Sequence, residues 1–361
     1  MKINEKFLVD YLNSNGPVGF EYDLNGVENT TQKLWMKQMS KYSNNVKLDN
    51  YGTAFAEIGN PNSDYKVIID AHADEVSWLV NYIDKDGYIK VIKNGGSDPT
   101  IAASKRVTVW GDKGPVDGFF GQPAIHIKDR KTDNSINSLF VDIGADSKED
   151  VINMGIEVGT VITFKEDFMK LGNGYYTGKA LDNRIGGFMI SEVARMIKEN
   201  NIELPYKLYV VNSVQEEVGL KGARMIADRL KPDVAIVTDV THDTTAPGYD
   251  KKKQGEIKCK EGPVIKRAPS VQNNLRKMII DRAKKEGLKY QLAASSPGSG
   301  TNTDSFAISN GGVPSALISL PLKYMHTTCE TVHKSDVERV INLIYNTLIN
   351  LDEGHDFRYN K

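Results

Sequence analysis

Apolar and polar positions follow two rhythms along this chain. Over residues 32–43 the spacing predicts a helix; over 46–58 apolar and polar residues alternate as in strands, with a turn at 50–52. The run Val67-Ile68-Ile69-Asp70-Ala71-His72 is β-branched and too short for helical periodicity, so it reads as a buried strand ending in polar residues. After Asp182, the residues Ile185, Phe188, Met189, Val193, Met196 and Ile197 recur at helical intervals and give a helix one apolar face. Strands over 208–214, 234–240 and 315–322 follow, with helices over 223–230 and 270–285 between them. The last helix opens at Ser335 with Glu338 three residues on, a capping-box pattern, and turns Val337, Val340, Ile341, Ile344 and Leu348 inward.

Residues 76–174 have a different texture. They hold 12 of the 31 glycines, and short alternating segments such as Tyr88-Ile89-Lys90-Val91-Ile92 lie between turn signals, which indicates a β-rich module. Strand and helix alternate in the flanks. Residues 1–75 and 175–361 are therefore expected to form one α/β domain, interrupted by a second unit over 76–174. A length of 361 residues accommodates both.

Charge narrows the choice of partner. The chain carries 46 basic against 47 acidic side chains, so no net field draws it to nucleic acid or to an anionic membrane. No apolar run is long enough for a membrane span, and residues 1–15 carry charges where a signal peptide is apolar, so a cytoplasmic protein is expected. Two cysteines, Cys259 and Cys329, are too few for a disulfide framework or a Cys-built zinc site.

Candidate chemistry collects where strands end. The segments are Ala71-His72-Ala73-Asp74-Glu75, Gln215-Glu216-Glu217-Val218-Gly219, Thr238-Asp239 and Tyr324-Met325-His326, with Gly178-Lys179-Ala180-Leu181-Asp182-Asn183-Arg184 directly before a helix. Each is weak alone: an aspartate before a helix is ordinarily an N-cap, and paired glutamates can be a solvated turn. Imidazole and carboxylate are also the donors that borderline divalent metals favour, and open α/β sheets present such groups at strand ends. Five such places of the same topological kind are an improbable coincidence.

In this order the segments resemble the M42 metallo-aminopeptidases, the glutamyl, deblocking and TET-like peptidases. The likeness covers nearly the whole chain, including Gly95-Gly96-Ser97-Asp98-Pro99 and Asp142-Ile143-Gly144-Ala145. It implies a mixed-sheet α/β/α zinc-peptidase-like catalytic domain carrying an inserted, barrel-like dimerisation domain. It further implies two divalent metal ions, zinc or cobalt. His72 and Asp239 match the ligands of one, Glu217 and His326 those of the other, and Asp182 the bridge. Glu216 matches the general base and Asp74 the carboxylate that orients His72. The implied activity is removal of N-terminal residues from short peptides by a metal-activated water, in a homo-oligomer of dimers assembled to a dodecamer.

Other features are set aside. His126, His242, His333 and His355 are not expected to be primary ligands; His333, just ahead of the last helix, suits a helix-associated hydrogen bond. Gly298-Ser299-Gly300-Thr301-Asn302-Thr303-Asp304 either lines the pocket or is a loose turn. Lys251-Lys252-Lys253 reads as a solvated loop. The glycines before Lys179 do not have phosphate-loop spacing, and no Gly-x-Ser-x-Gly elbow occurs. Ser77 and Ser97 depart from the family pattern, at positions that are not ligands. Two rival readings stay open: an endoglucanase-type glycoside hydrolase, as some relatives are labelled, and a catalytically silent scaffold.

Overall fold

The computed structural model describes residues 3–127 and 135–360. The N-terminal part runs α1 (Glu5–Leu12), α2 (Thr31–Met39), β1 (Val46–Leu48), β2 (Ala54–Gly59) and β3 (Lys66–His72). The chain then leaves for β4 (Ser77–Ile83), β5 (Ile89–Asn94), β6 (Arg106–Gly111), β7 (Gly114–Phe120), β8 (Val141–Asp142), α3 (Lys148–Asn153) and β9 (Val161–Phe164). It returns through β10 (Met169–Lys170), β11 (Tyr175–Gly178), α4 (Leu181–Glu199), β12 (Lys207–Ser213), α5 (Lys221–Leu230), β13 (Val234–His242) and α6 (Lys251–Gln254). Last come β14 (Val264–Arg267), α7 (Asn273–Lys285), β15 (Gln291–Ala294), α8 (Thr303–Ile308), β16 (Ser315–Leu322), β17 (Glu330–His333) and α9 (Lys334–Leu348).

Eight strands make one mixed sheet in the order β1-β2-β12-β3-β13-β16-β14-β15, with β12, β3, β13 and β16 parallel at its centre. Period-two alternation sorts its faces. Val67, Ile69 and Ala71 of β3 join one core with α1, α4 and α9, whereas Ile68 packs on the other side with Ala223 and Ile226 of α5 and Phe306 of α8. Helices thus cover both faces, the α/β/α arrangement. The same alternation puts Asp70, His72 and Asp239 on the α5/α8 side.

Strands β4-β5-β8-β7-β6-β9 close into an antiparallel barrel, which leaves no free sheet edge. Its core is separate and aromatic, with Trp78 edge-on to Phe120 at 5.3 Å. Leu24, Trp110 and Val161 pack where the N-terminal loop meets the barrel, and Asn25 Nδ2 donates to the Trp110 carbonyl at 2.8 Å. Lys105 Nζ crosses from the barrel to Thr328 Oγ1 at 2.7 Å. The two departures from the family pattern meet: Ser97 Oγ donates to the Ser77 carbonyl at 2.6 Å.

Local pattern missed β14 and β15, four-residue strands too short for alternation to register. It also misassigned the cap of α9. The N-cap is His333, whose Nδ1 accepts the Ser335 N–H at 3.2 Å, while its Nε2 lies 2.9 Å from the Asn173 carbonyl. The three lysines at 251–253 are exposed, as expected, but on a short helix. No helix among the described residues is long and apolar enough to cross a membrane.

Candidate metal centre and active site

Strand ends and the turns after them deliver the seven singled-out side chains to one place. His72 ends β3 and Asp239 lies within the adjacent β13. Glu216 and Glu217 follow β12 across a turn in which Gln215 is left-handed (φ 57°). Asp74 holds that turn: its Oδ1 accepts the Glu216 N–H at 3.1 Å and its Oδ2 the Glu217 N–H at 3.0 Å. The His72 ring is approached less closely, with Nδ1 at 3.4 Å from the Asp74 carboxylate and 3.2 Å from the Asp74 backbone carbonyl. A proton on Nδ1, held by that carbonyl, would leave Nε2 free to ligate.

Asp182 is not a helix cap. Its backbone (ψ 107°) is not helical, and it is Asn183 that caps the regular part of α4, accepting the Gly186 N–H at 3.1 Å. Asn183 Nδ2 also donates to the Thr238 carbonyl at 2.9 Å, which fastens this turn beside Asp239. The Asp182 carboxylate is thereby free to point both ways: Oδ1 lies 3.1 Å from His72 Nε2 and Oδ2 lies 3.3 Å from His326 Nε2. His326 sits in the left-handed region (φ 60°) after β16, and its Nε2 is also 3.3 Å from Glu217 Oε1. The ring rests on Gly96, where a Cβ would come within 2.7 Å of His326 Nδ1. Only glycine allows that approach.

Two groups of donors result, each with its atoms within 4.8 Å of one another: His72, Asp182 and Asp239, and Asp182, Glu217 and His326. Donors around a divalent cation at its usual ligand distances are separated by about 3–3.5 Å. The observed spacings, and the mixture of imidazole and carboxylate, fit two such ions sharing Asp182. Glu216 Oε2 stands 3.9 Å from His72 Nε2, with Asp239 Oδ1 nearly as far at 3.8 Å, and His72, Glu216 and Glu217 also lie within 4.8 Å of one another.

The electrostatics agree. Burial works against a protonated His72, yet Glu216, Asp182 and Asp74 outweigh it and raise its pKa well above the usual imidazole value. His326 is pushed up to about 11 by Asp182 and Glu217. Burial would raise Asp182, but His326 and His72 hold it below the ordinary carboxylate range. Asp239 is raised to about 7, chiefly by burial, and Glu216 and Glu217 are raised by burial as well. Four carboxylates and two imidazoles share one desolvated volume, a setting that added positive charge stabilises.

His126, His242 and His355 are exposed, and none of them, nor His333, belongs to these groups. The segment 298–304 is a tied turn, not a loose one. Asp304 accepts the Ser299 and Gly300 N–H groups, and Asn302 Nδ2 reaches both Asp70 Oδ2 and Ser213 Oγ at 2.8 Å, under the ends of β3 and β12.

Several participants had no role assigned by local pattern, although Glu75, Lys179 and Arg184 lie within the segments singled out. Glu21 accepts the Gln215 N–H at 3.3 Å; Glu75, buried, binds Lys179 at 3.0 Å and also Arg184. Lys266, on the same sheet face as Asp239, has no ion-pair partner among the described residues, and burial holds its pKa below the usual lysine range. Glu330 accepts backbone N–H groups from both Asp182 and His326. Glu330 pairs with Gly178 across strands, and that pairing is itself a tertiary fact. An open depression of about 980 Å³ near the C-terminal end of α4 contains none of these groups.

The sequence profile described as M42 glutamyl aminopeptidase matches residues 52–343. The lysyl aminopeptidase of Pyrococcus furiosus is 33% identical over 302 residues, covering 82% of this chain and 85% of its own length. The TET aminopeptidase from the marine sediment archaeon Thaumarchaeota archaeon SCGC AB-539-E09 superposes with a TM-score of 0.89 at 29% identity, covering 96% of each chain. The TET1 peptidase of Pyrococcus horikoshii, described as assembling into a tetrahedron or a large octahedral shell, superposes with a TM-score of 0.82 at 26% identity, covering 96% of this chain and 99% of its own.

Proposed function

This chain belongs to the M42 glutamyl aminopeptidase family and is an aminopeptidase; we propose that it removes N-terminal residues from short peptides at the His72–Asp182–His326 cluster, with Glu216 as general base. The observation that carries this reading is the divided carboxylate of Asp182, whose two oxygens face His72 and His326 at 3.1 and 3.3 Å. Two divalent cations, zinc or cobalt by donor chemistry, would be held by His72 and Asp239 and by Glu217 and His326, with Asp182 shared. Bound there, they would supply Lewis acidity toward the scissile carbonyl and lower the pKa of water.

The remaining work falls to the chain. Glu216 takes a proton from the attacking water and returns it to the departing amine. Asp74 holds the Glu216 and Glu217 backbone, so that base and ligand keep their spacing. The module over 76–174 serves assembly. Tyr82, Ile92 and Phe119 are exposed there, and the related TET1 peptidase forms shells. Dimers building a dodecamer would admit only short or unfolded peptides. Two free cysteines suit a reducing cytoplasm.

A glycoside hydrolase would need two carboxyl groups working without metal, whereas imidazoles stand between the acids here. The test is metal content per subunit together with peptide-library cleavage by wild type and Glu216→Gln. Two cations are expected in both, with kcat of the variant lower by about 10²–10⁴-fold. Full activity in metal-stripped protein, or wild-type turnover in the variant, refutes the reading; a metal-loaded protein that cleaves no peptide supports the scaffold instead.

A further inference from the structure

One buried carboxylate outside both donor groups ties them together. Glu330 opens β17 and is 2% exposed. Its Oε2 accepts the backbone N–H of Asp182 at 2.9 Å and its Oε1 accepts the backbone N–H of His326 at 2.7 Å. These are the two residues whose side chains meet at 3.3 Å, although 144 positions separate them in sequence. The pairing of β17 with β11 sets Glu330 against Gly178, at the entrance to the turn that carries Asp182. That turn leaves regular backbone at Ala180 (φ 54°), and His326 is itself left-handed, so neither N–H is claimed by a helix or strand ladder.

We infer that Glu330 is a positioning residue that sets the separation of Asp182 and His326, and so the affinity of the cation position formed by Asp182, Glu217 and His326. A carboxylate is suited to this because it accepts on both oxygens and donates on neither. Each hydrogen bond fixes one ligand's backbone, and the rigid link between the two oxygens fixes the distance between those backbones. Asp74 does the equivalent for Glu216 and Glu217, but within a single turn. Glu330 does it across two segments that no local structure connects. This inference rests on the proposed reading of Asp182 and His326 as ligands.

The shape-preserving variant is Glu330→Gln, whose amide can accept only one of the two N–H groups and turns its NH₂ on the other. Full-length wild type and variant, stripped with chelator, are titrated with Co²⁺ and followed by visible absorption, metal analysis and melting temperature with and without metal. Wild type is expected to take up two equivalents. The variant should bind at least one equivalent tenfold or more weakly than wild type does, with an altered absorption band.

Uptake of both equivalents with unchanged affinity and spectrum overturns the inference. So does an equal loss of melting temperature in the stripped and loaded forms, because that marks a purely structural role. Wild type that takes up no metal overturns the site reading and this inference together, whereas normal uptake with an indifferent variant overturns this inference alone. Should the variant not fold, amide hydrogen exchange on stripped wild type decides. Slow exchange in peptides spanning 179–185 and 324–331 before metal is added supports Glu330 as the holder of both backbones, and fast exchange of either overturns it.

Discussion

Asn183 takes the capping role and so releases Asp182. Its Oδ1 accepts the Gly186 N–H at 3.1 Å, while the neighbouring Asp182 carboxylate lies between His72 and His326. Replacing Asn183 by alanine removes the cap and strips the buried Thr238 carbonyl of its donor. Cap loss alone costs about 1–2 kcal/mol. A urea unfolding midpoint lower than wild type, with weaker metal uptake, is the expected result; an unchanged midpoint would return the cap to Asp182.

Removal of divalent metal should lower stability. Asp182, Glu217, Asp239 and Glu216 would then face one another with His72, His326 and Lys266 to offset their charge. A cation that binds only the folded form at 100 times its Kd adds about 2.7 kcal/mol per site. Melting curves with chelator, and again after zinc or cobalt is restored, should separate by several degrees and then coincide. Identical curves would argue against a metal centre.

Gly96→Ala tests the contact with His326. The new Cβ would meet His326 Nδ1 at 2.7 Å, so the ring or the Gly95-Gly96 turn must shift. Gly172→Ala is the control, because nothing lies within 4 Å of its Cβ and its φ is not left-handed. We expect kcat/KM to fall at least tenfold, ~1.4 kcal/mol, for the first and to hold for the second. Equal kinetics in the two variants would show that His326 tolerates displacement.

Acid sensitivity is expected from Asp243, four residues past Asp239. Burial alone would raise its pKa, but the Thr245 hydroxyl and the Thr245 and Cys259 N–H groups outweigh burial and hold it below the usual value. A pKa depressed in the folded state means that its stabilisation is complete above the unfolded value of about 3.9 and disappears as pH falls through the folded value. Asp243→Asn should therefore be less stable than wild type near neutrality, by about 1–3 kcal/mol, with the gap closing below about pH 4. Unfolding free energies measured across that range check it, and a gap that widens in acid would contradict the assignment.

The sequence by itself determined the rhythm of the chain and the identity of its donors. β16 spans the residues indicated, and β3 starts only one residue earlier, because a short, nearly unbroken apolar run marks a strand buried on both faces. His72, Asp182, Glu216, Glu217, Asp239 and His326 stood out because strand ends in an open sheet are few and each carried a group able to bind metal or move a proton. Tertiary structure alone decided what each donor faces. It made Asn183 the cap of α4, made His333 rather than Ser335 the cap of the last helix, and brought Glu330 to Asp182 and His326. Such distances depend on which strands pair and on how turns of opposite ends of the chain pack. A side chain's local pattern carries no information about a partner that it meets only when the sheet closes.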